Sequence, residues 1–365
     1  MREDHFKINE ANAIFIILSV VFLTFGAYVQ SLDVIKGLLI TEYGILLLPI
    51  IIYALVTKKD IKNVFRLNRL PFKVTIKIMV LAVFLVPTIA LVNLIAIFII
   101  EMFSSSIMAP IPTAQNGLEF IFLFFVIAIT AGICEEFFFR GMILNAYENE
   151  MSLKAAAIFS AVLFGIFHFN PQNLFGPIVL GLVFSYLVQI TNSIYAAIIA
   201  HVANNGIAVT MGFLITLGNN GASSDFVDVA QGDMLFQSTS ILLGVILFYL
   251  ILSIASIVGV KTLLRRIKRA YPRYEPGDTL TVQLKQYKIV ENTGDEIHIV
   301  PLSNDVESDK VLITNIEKIK EIKGISHYKL WTGESNVFKF SILVTLMISL
   351  TFYGYVIYYA YIKVG

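Results

Sequence analysis

Two carboxylates and a guanidinium stand within six positions in "EEFFFR" (135–140). They follow "LEFIFLFFVIAITAGI" (118–133), sixteen residues without one basic side chain. A charge at bilayer depth costs about 2.5–3.5 kcal/mol on insertion scales, so such residues are functional candidates by default. Glu136 and Arg140 are spaced i,i+4, which puts them on one helical face where they can pair. Glu135 is turned about 100° from that face and is left for another task. The same i,i+4 relation joins Phe164 to His168 and His201 to Asn205, and Gly165 allows a neighbouring helix to come close. Of the five histidines, His5, His298 and His327 fall in polar segments, so the intramembrane pair, His168 and His201, lies in the same neighbourhood as the carboxylates.

Depth suggests how these groups meet. With a turn near Met151, Glu135 lies 16 residues before it and His168 lies 17 after it. At 1.5 Å per residue both are about 24–26 Å from the turn, so an antiparallel pair sets the carboxylate level with the imidazole. Glu135 then suits a general base acting on water with help from His168. His201 and Asn205 suit donors to a developing oxyanion. That arrangement fits amide hydrolysis. A second chemistry stays open: Glu135, His168 and His201 offer one oxygen and two nitrogens, a zinc set with a free position for water, although no HExxH signature is present. His201 lies only eight residues into its span, so the two histidines meet only if "HFNPQNLFG" (168–176) dips into the membrane. Non-helical backbone is tolerated there where it lines a cavity. The lone Cys134 reads as a small buried hydrophobe, and Phe137, Phe138 and Phe139 as packing or lipid-facing residues.

The elements that must hold these groups follow from composition. The chain has 365 residues, 57% hydrophobic and 15% charged, against about 25% charged in soluble domains. It is an integral membrane protein. One cysteine excludes an internal disulfide. Apolar runs of spanning length predict nine helices, at 12–30, 37–56, 74–101, 117–139, 154–168, 173–191, 193–217, 236–260 and 338–361. The basic segments 57–77 and "KTLLRRIKRAYPR" (261–273) fall on one side in this count, and by the positive-inside rule that side is the cytoplasm. The N-terminus is then inside and the C-terminus outside. Residues 262–335 alternate apolar and polar: "DTLTVQLKQYKIV" and "DEIHIVPL" read as a hairpin about "ENTGDE", and "VLITNIEKIKEIKGI" as a strand and a short helix. The expected fold is an all-α polytopic membrane bundle of about nine helices, with a small α+β cytoplasmic domain before the last. Its segments are 1–115 (three spans), 116–217 (core helices), 218–261 (an extracytoplasmic loop and the eighth span), 262–335 (soluble) and 336–365 (the last span). "RRIKRAYPR" directly follows a span and reads as a topology anchor, so no nucleic-acid partner is expected.

"EEFFFR" (135–140), "FGIFH" (164–168) and "HVANN" (201–205) occur in this order in apolar helices. Together they resemble the EExxxR, FxxxH and HxxxN motifs of the CPBP family, the type II CAAX prenyl proteases and bacteriocin-processing or immunity proteins also called Abi. The resemblance covers roughly 115–217. It implies an intramembrane endopeptidase in which Glu135 and His168 activate water, His201 and Asn205 stabilise the oxyanion, and Glu136 and Arg140 support the site. The family is often labelled metalloprotease, and a metal-free glutamate mechanism has also been argued. The glutamate reading requires no cofactor; the zinc reading uses Glu135, His168 and His201. The expected substrate is a peptide or membrane protein, and the expected setting is a bacterial cytoplasmic membrane. The alternative is a non-catalytic scaffold or immunity protein acting through a protein partner of 262–335. A proton-relaying transporter is disfavoured because no inverted repeat is apparent.

Overall fold

The computed structural model describes residues 5–101, 112–218, 239–271, 279–282, 285–292, 296–301, 312–315, 325–326 and 345. The chain divides into two compact units, Met1–Arg265 with Asn336–Gly365, and Arg266–Ser335.

Among the described residues the first unit holds eight apolar helices: α1 (Ile8–Leu32), α2 (Val34–Val56), α3 (Phe72–Glu101), α4 (Gly117–Glu148), α5 (Leu153–Ile166), α6 (Phe175–Thr191), α7 (Ile194–Gly218) and α8 (Thr239–Lys268). Their ends carry local signals. The Asp33 carboxylate accepts from the backbone N–H groups of Ile35 and Lys36 at the start of α2. Asn116 does the same for Leu118 and Glu119 at the start of α4, and the Ser152 hydroxyl caps α5 through the Ala155 N–H. Such side chains satisfy donors that the first helical turn leaves open. Asn192, at φ 49°, stops α6 in the left-handed region that short polar side chains tolerate.

Among the described residues seven helices are long and apolar enough to cross a membrane, where nine were expected. The expected fifth span is the 14-residue α5. At 1.5 Å per residue it reaches about 21 Å, short of the roughly 30 Å hydrocarbon core. The expected span at 338–361 lies outside the described residues. Helices α5 and α6 together return the chain to the end of the bundle that α4 reached. The Gln189 amide at the close of α6 donates to the Leu153 carbonyl at the start of α5 (2.8 Å). At that same end Arg66 pairs with Glu148, and the Asn68 amide donates to the Asn192 carbonyl (2.6 Å). Helix α8 runs antiparallel to α3, with Ser253 donating to the Pro87 carbonyl (3.1 Å) and Gly259 against Phe84. Lys261 and Arg265 therefore stand at the same end as the basic 57–77 connection.

Four segments are widened to i→i+5 hydrogen bonding: Phe22–Gly26 in α1, Ile40–Leu47 in α2, and Phe124–Thr130 and Phe137–Ile143 in α4. Such bulges shift the faces of a helix and are frequent at functional sites. Phe138 and Phe139 are fully buried rather than lipid-facing. With Phe15 of α1 and Phe167 they form an aromatic cluster with centroid separations of 4.8–6.4 Å. Phe137 packs on Phe65 at 5.0 Å.

In the second unit, five short strands form one antiparallel sheet of order β4-β3-β2-β1-β5: β1 (Thr279–Val282), β2 (Lys285–Asn292), β3 (Glu296–Pro301), β4 (Leu312–Asn315) and β5 (Ile325–Ser326). "DTLTVQLKQYKIV", read as one strand, is two that pair with each other, Val282 opposite Lys285. Residues β2 and β3 flank the expected turn, with a register irregularity between Ile289 and Glu291. The short helix expected within 316–324 lies outside the described residues.

Close approach without a water-driven hydrophobic effect depends on small residues. A Cβ on Gly181 of α6 would meet the Ala161 backbone at 2.9 Å and Arg140 Nη2 at 3.1 Å, whereas a Cβ on Gly44 would meet nothing within 4 Å. Gly181→Ala is expected to lower stability by about 1–3 kcal/mol through overpacking, with Gly44→Ala unchanged or higher. Thermal unfolding of the two variants in one detergent checks the contrast.

Candidate active site

Helices α4 and α7 and the end of α5 carry the polar groups named by the motifs into the bundle interior. Glu136 Oε1 is the centre: Arg140 Nη1 donates to it at 2.9 Å, and His201 Nδ1 of α7 donates to it at 2.8 Å. The Glu136 and Arg140 side chains are wholly buried. The i,i+4 pairing read from the sequence is present; the histidine on the same oxygen is not something spacing shows. The Arg140 guanidinium lies 4.4 Å from the Phe164 ring centroid and 5.3 Å from that of Phe184. Its Nε and Nη2 have no hydrogen-bond partner among the described residues, so aromatic faces supply the stabilisation that acceptors do not. The absent Cβ of Gly181 leaves room for Nη2.

Glu135, the next residue, is turned away from this pair as expected. Its Oε2 is 3.9 Å from His201 Nε2, and that oxygen has no hydrogen-bond partner among the described residues. The side chain keeps 16% exposure, while Glu136 keeps none. His201 thus bridges the two carboxylates, Nδ1 toward Glu136 and Nε2 toward Glu135.

His168 follows the end of α5, and its Nδ1 donates to the Phe164 carbonyl at 2.8 Å. A carbonyl only accepts, so the proton of the neutral ring sits on Nδ1 and Nε2 keeps its lone pair. Among the described residues His168 makes no hydrogen bond or ion pair with Glu135, so the direct meeting expected from depth is not made. Both imidazoles instead edge the Phe164 ring, at centroid distances of 5.0 Å for His168 and 5.9 Å for His201. Residues after α5 unwind through Phe169 (φ 47°) and a single 3-10 turn, Pro171–Asn173. Asn93 of α3 pins this connection, accepting from the Gly176 N–H at 3.0 Å and donating to Asn173 Oδ1 at 3.4 Å. A Cβ on Gly165 would meet the Leu174 carbonyl at 2.8 Å, so glycine lets the hairpin close.

Asn205 departs from expectation. It faces α4 as His201 does, but its amide donates to the Ile127 carbonyl at 3.1 Å, and its oxygen accepts from Asn204 at 3.2 Å. Ile127 lies in the widened Phe124–Thr130 segment, where the altered bonding presents a carbonyl to a neighbour. The two side chains are therefore held by different groups rather than aimed at one spot.

Among the described residues no three His, Cys, Asp or Glu side chains converge to hold a metal ion. In the zinc set weighed above, Nδ1 of His168 is turned to a carbonyl and Nδ1 of His201 to Glu136. Each ring thereby keeps Nε2 for a metal, the arrangement that zinc-ligating histidines commonly have, but the described residues do not bring three such ligands together, and no step is derived through zinc.

Sequence reasoning passed over one acidic group. Glu42 of α2, in "LLITEYGILLLP", is 6% exposed and lies in the widened Ile40–Leu47 segment. Tyr43, the next residue, meets Thr130 Oγ1 of α4 at 3.3 Å. The signal for Glu42 was a single carboxylate in an otherwise apolar run.

Residues 117–207 match the family described as type II CAAX prenyl endopeptidase Rce1-like. This stretch is similar to that family. The match spans α4 to the first half of α7, and it agrees with the resemblance carried by the three motifs. No curated protein and no solved structure matches the chain.

Arg140→Leu strands Glu136 in a dry interior and is expected to cost about 3–5 kcal/mol, as breaking buried pairs does. The double variant Glu136→Gln/Arg140→Leu removes both charges and should recover part of that loss. Chemical denaturation in mixed micelles measures the coupling.

Proposed function

We propose that the chain is an intramembrane endopeptidase, hydrolysing peptide bonds of membrane-associated peptides or proteins with Glu135 as general base. The observation that carries this reading is the division of labour between adjacent carboxylates: Glu136 is committed to Arg140 and His201, while Glu135 keeps an uncommitted oxygen and partial exposure. Glu135 takes a proton from water as the water oxygen bonds to the scissile carbonyl carbon, and the carbonyl electron pair moves to oxygen. Collapse of that oxyanion breaks the C–N bond, and the leaving nitrogen takes the proton held by Glu135. His168 assists through Nε2, the ring atom its bond to Phe164 leaves with a lone pair. His201 stabilises the oxyanion; donation from its Nε2 requires the doubly protonated ring, whose Nδ1–H is already matched to Glu136, and Asn205 joins it on releasing the Ile127 carbonyl. No cofactor is required. The Rce1-like segment supports the reaction class. We place the protein in a bacterial cytoplasmic membrane with the basic end of the bundle inside.

A second reading is a scaffold or immunity protein working through a protein partner of the soluble region. It draws on Arg266–Ser335, a separate unit with a sheet of its own.

Wild type and Glu135→Gln in nanodiscs, offered a quenched-fluorescent peptide library with and without a chelator, separate these readings. Glu135→Gln is expected to lower cleavage by about 10²–10⁴-fold, the range of a general base, with wild-type cleavage surviving the chelator. Equal cleavage by the two proteins sinks the glutamate mechanism. A cellular phenotype kept by Glu135→Gln and lost on deleting 266–335 supports the scaffold.

A further inference from the structure

The two ends of the bundle treat the site differently. Toward the basic end it is sealed. Residues 138–147 of α4, between Glu136 and that end, are all buried. The 57–68 connection folds across them. Phe65 lies so close on Gly141 that a Cβ there would clash with its ring, and Phe6 packs on Phe65 at 5.9 Å. The Lys59 ammonium donates to the His5 carbonyl at 2.7 Å, and the Ile194 N–H at the start of α7 donates to the Arg66 carbonyl at 3.1 Å. Apolar packing and satisfied backbone leave no path for water or a peptide there.

Toward the other end the site is open. Residues 168–171 of the connection and 202–205 of α7 are all partly exposed. The α5–α6 hairpin stops here while its neighbours continue. Asn93 of α3 pins the hairpin tip, and α3 runs on for eight residues past it. Ile127 of α4 meets Asn205 of α7, and past that contact α4 extends ten residues and α7 thirteen. At 1.5 Å per residue these helices reach about 12–20 Å beyond the named contacts. Helix α7 packs against both α3 and α4, with Phe120 stacked on Phe213 at 4.8 Å. A hairpin that stops short beside three longer helices leaves a notch over its tip.

The tip is polar as well as unwound. Asn170, Gln172 and Asn173 lie in it, Asn93 reaches it, and Asn204 stands one turn beyond His201 on α7. Gln172 is 2% exposed, and neither atom of its amide has a hydrogen-bond partner among the described residues. Such groups call for water or a ligand, and non-helical backbone at membrane depth is tolerated where it lines a wet cavity. A carboxamide also offers one donor group and one acceptor, the pattern a peptide backbone presents.

We infer that the site is entered from the end opposite the basic one, over the α5–α6 tip, and that its substrate is an extended peptide segment presented at that end. On the placement proposed above, that end is extracytoplasmic. Water for hydrolysis uses the same route, and a peptide confined to the basic side has none. The substrate half of the inference rests on the endopeptidase reading; the opening is read without any cleavage.

The lone Cys134 is buried, so Cys134→Ser gives a background for single cysteines in the full chain. Asn173→Cys reports the tip, Asn204→Cys reports α7, and Lys62→Cys, exposed in the 57–77 connection, reports the basic end. Sealed spheroplasts and inverted vesicles are treated with a membrane-impermeant maleimide. Asn173→Cys and Asn204→Cys are expected to react from the side opposite to Lys62→Cys, whichever side that is. Reaction from the same side as Lys62→Cys, or from neither side, overturns the opening. Asn204→Cys, on a regular helix, carries the reading where the tip variant fails to insert. A bulky maleimide on Asn173→Cys is expected to lower cleavage of the peptide library about tenfold or more, and on Lys62→Cys less than about twofold. Full cleavage after complete labelling of Asn173→Cys overturns the route. Opposite-side labelling in a protein that cleaves nothing upholds the opening and sinks the endopeptidase reading alone, so the two failures are told apart.

Discussion

One oxygen organises the interior of the bundle. Glu136 Oε1 accepts from Arg140 on its own helix and from His201 on α7, with both members of the Glu–Arg pair sealed from solvent. Burying an ion pair is poor stabilisation by itself, because desolvation consumes most of the Coulombic gain. Its value is positional. A charged arginine in apolar surroundings tolerates few arrangements, and here it lies against Phe164 and Phe184 from the α5–α6 hairpin. The pair thus registers α4, α5, α6 and α7 against one another. Glu135 and His201 are placed as a consequence: Glu135 by being the residue beside Glu136, and His201 by being bonded to it.

The departures from regular helix serve the same end. Two widened segments of α4 flank the Ala131–Glu136 stretch on either side. One presents the Ile127 carbonyl to Asn205, and the other carries Arg140. A regular helix satisfies its carbonyls internally and offers its neighbours no free acceptor. On the facing side, α5 stops short and the chain turns over at Phe169 with left-handed backbone. That early stop is what brings His168 alongside Phe164, and through Phe164 near His201. Asn93 and Gly165 make the stop durable, one by bonding the connection and the other by letting it lie close.

Which of these features the sequence carried follows from what spacing encodes. Spacing along a helix fixes a face, so the Glu136–Arg140 pair and the separate aspect of Glu135 were legible. Apolar length fixes a span, and seven of the nine were readable from it. The rule fails at α5, where flanking apolar residues extend a run that the backbone ends at Ile166. Spacing names no partner on another helix. Nothing in "HVANN" distinguishes a histidine bonded to Glu136 from one aimed with Asn205 at a shared point. Nothing local marks a widened turn, which rotates every later residue of α4. In the second unit, alternation persists across 278–290 and gives no sign that the sheet folds back between Val282 and Lys285.

Glu42 shows the same limit from the other side. Its charge was visible, but motif-centred reading weights residues by their company in sequence, and Glu42 has apolar company only. In space it is buried in the widened Ile40–Leu47 segment of α2, whose Tyr43 meets Thr130 at the head of the Ala131–Glu136 stretch. Spacing reveals a charge that finds its partner one helical turn away, as Glu136 finds Arg140; it says nothing of a charge whose surroundings are set by other helices, because those are assembled only when the bundle packs.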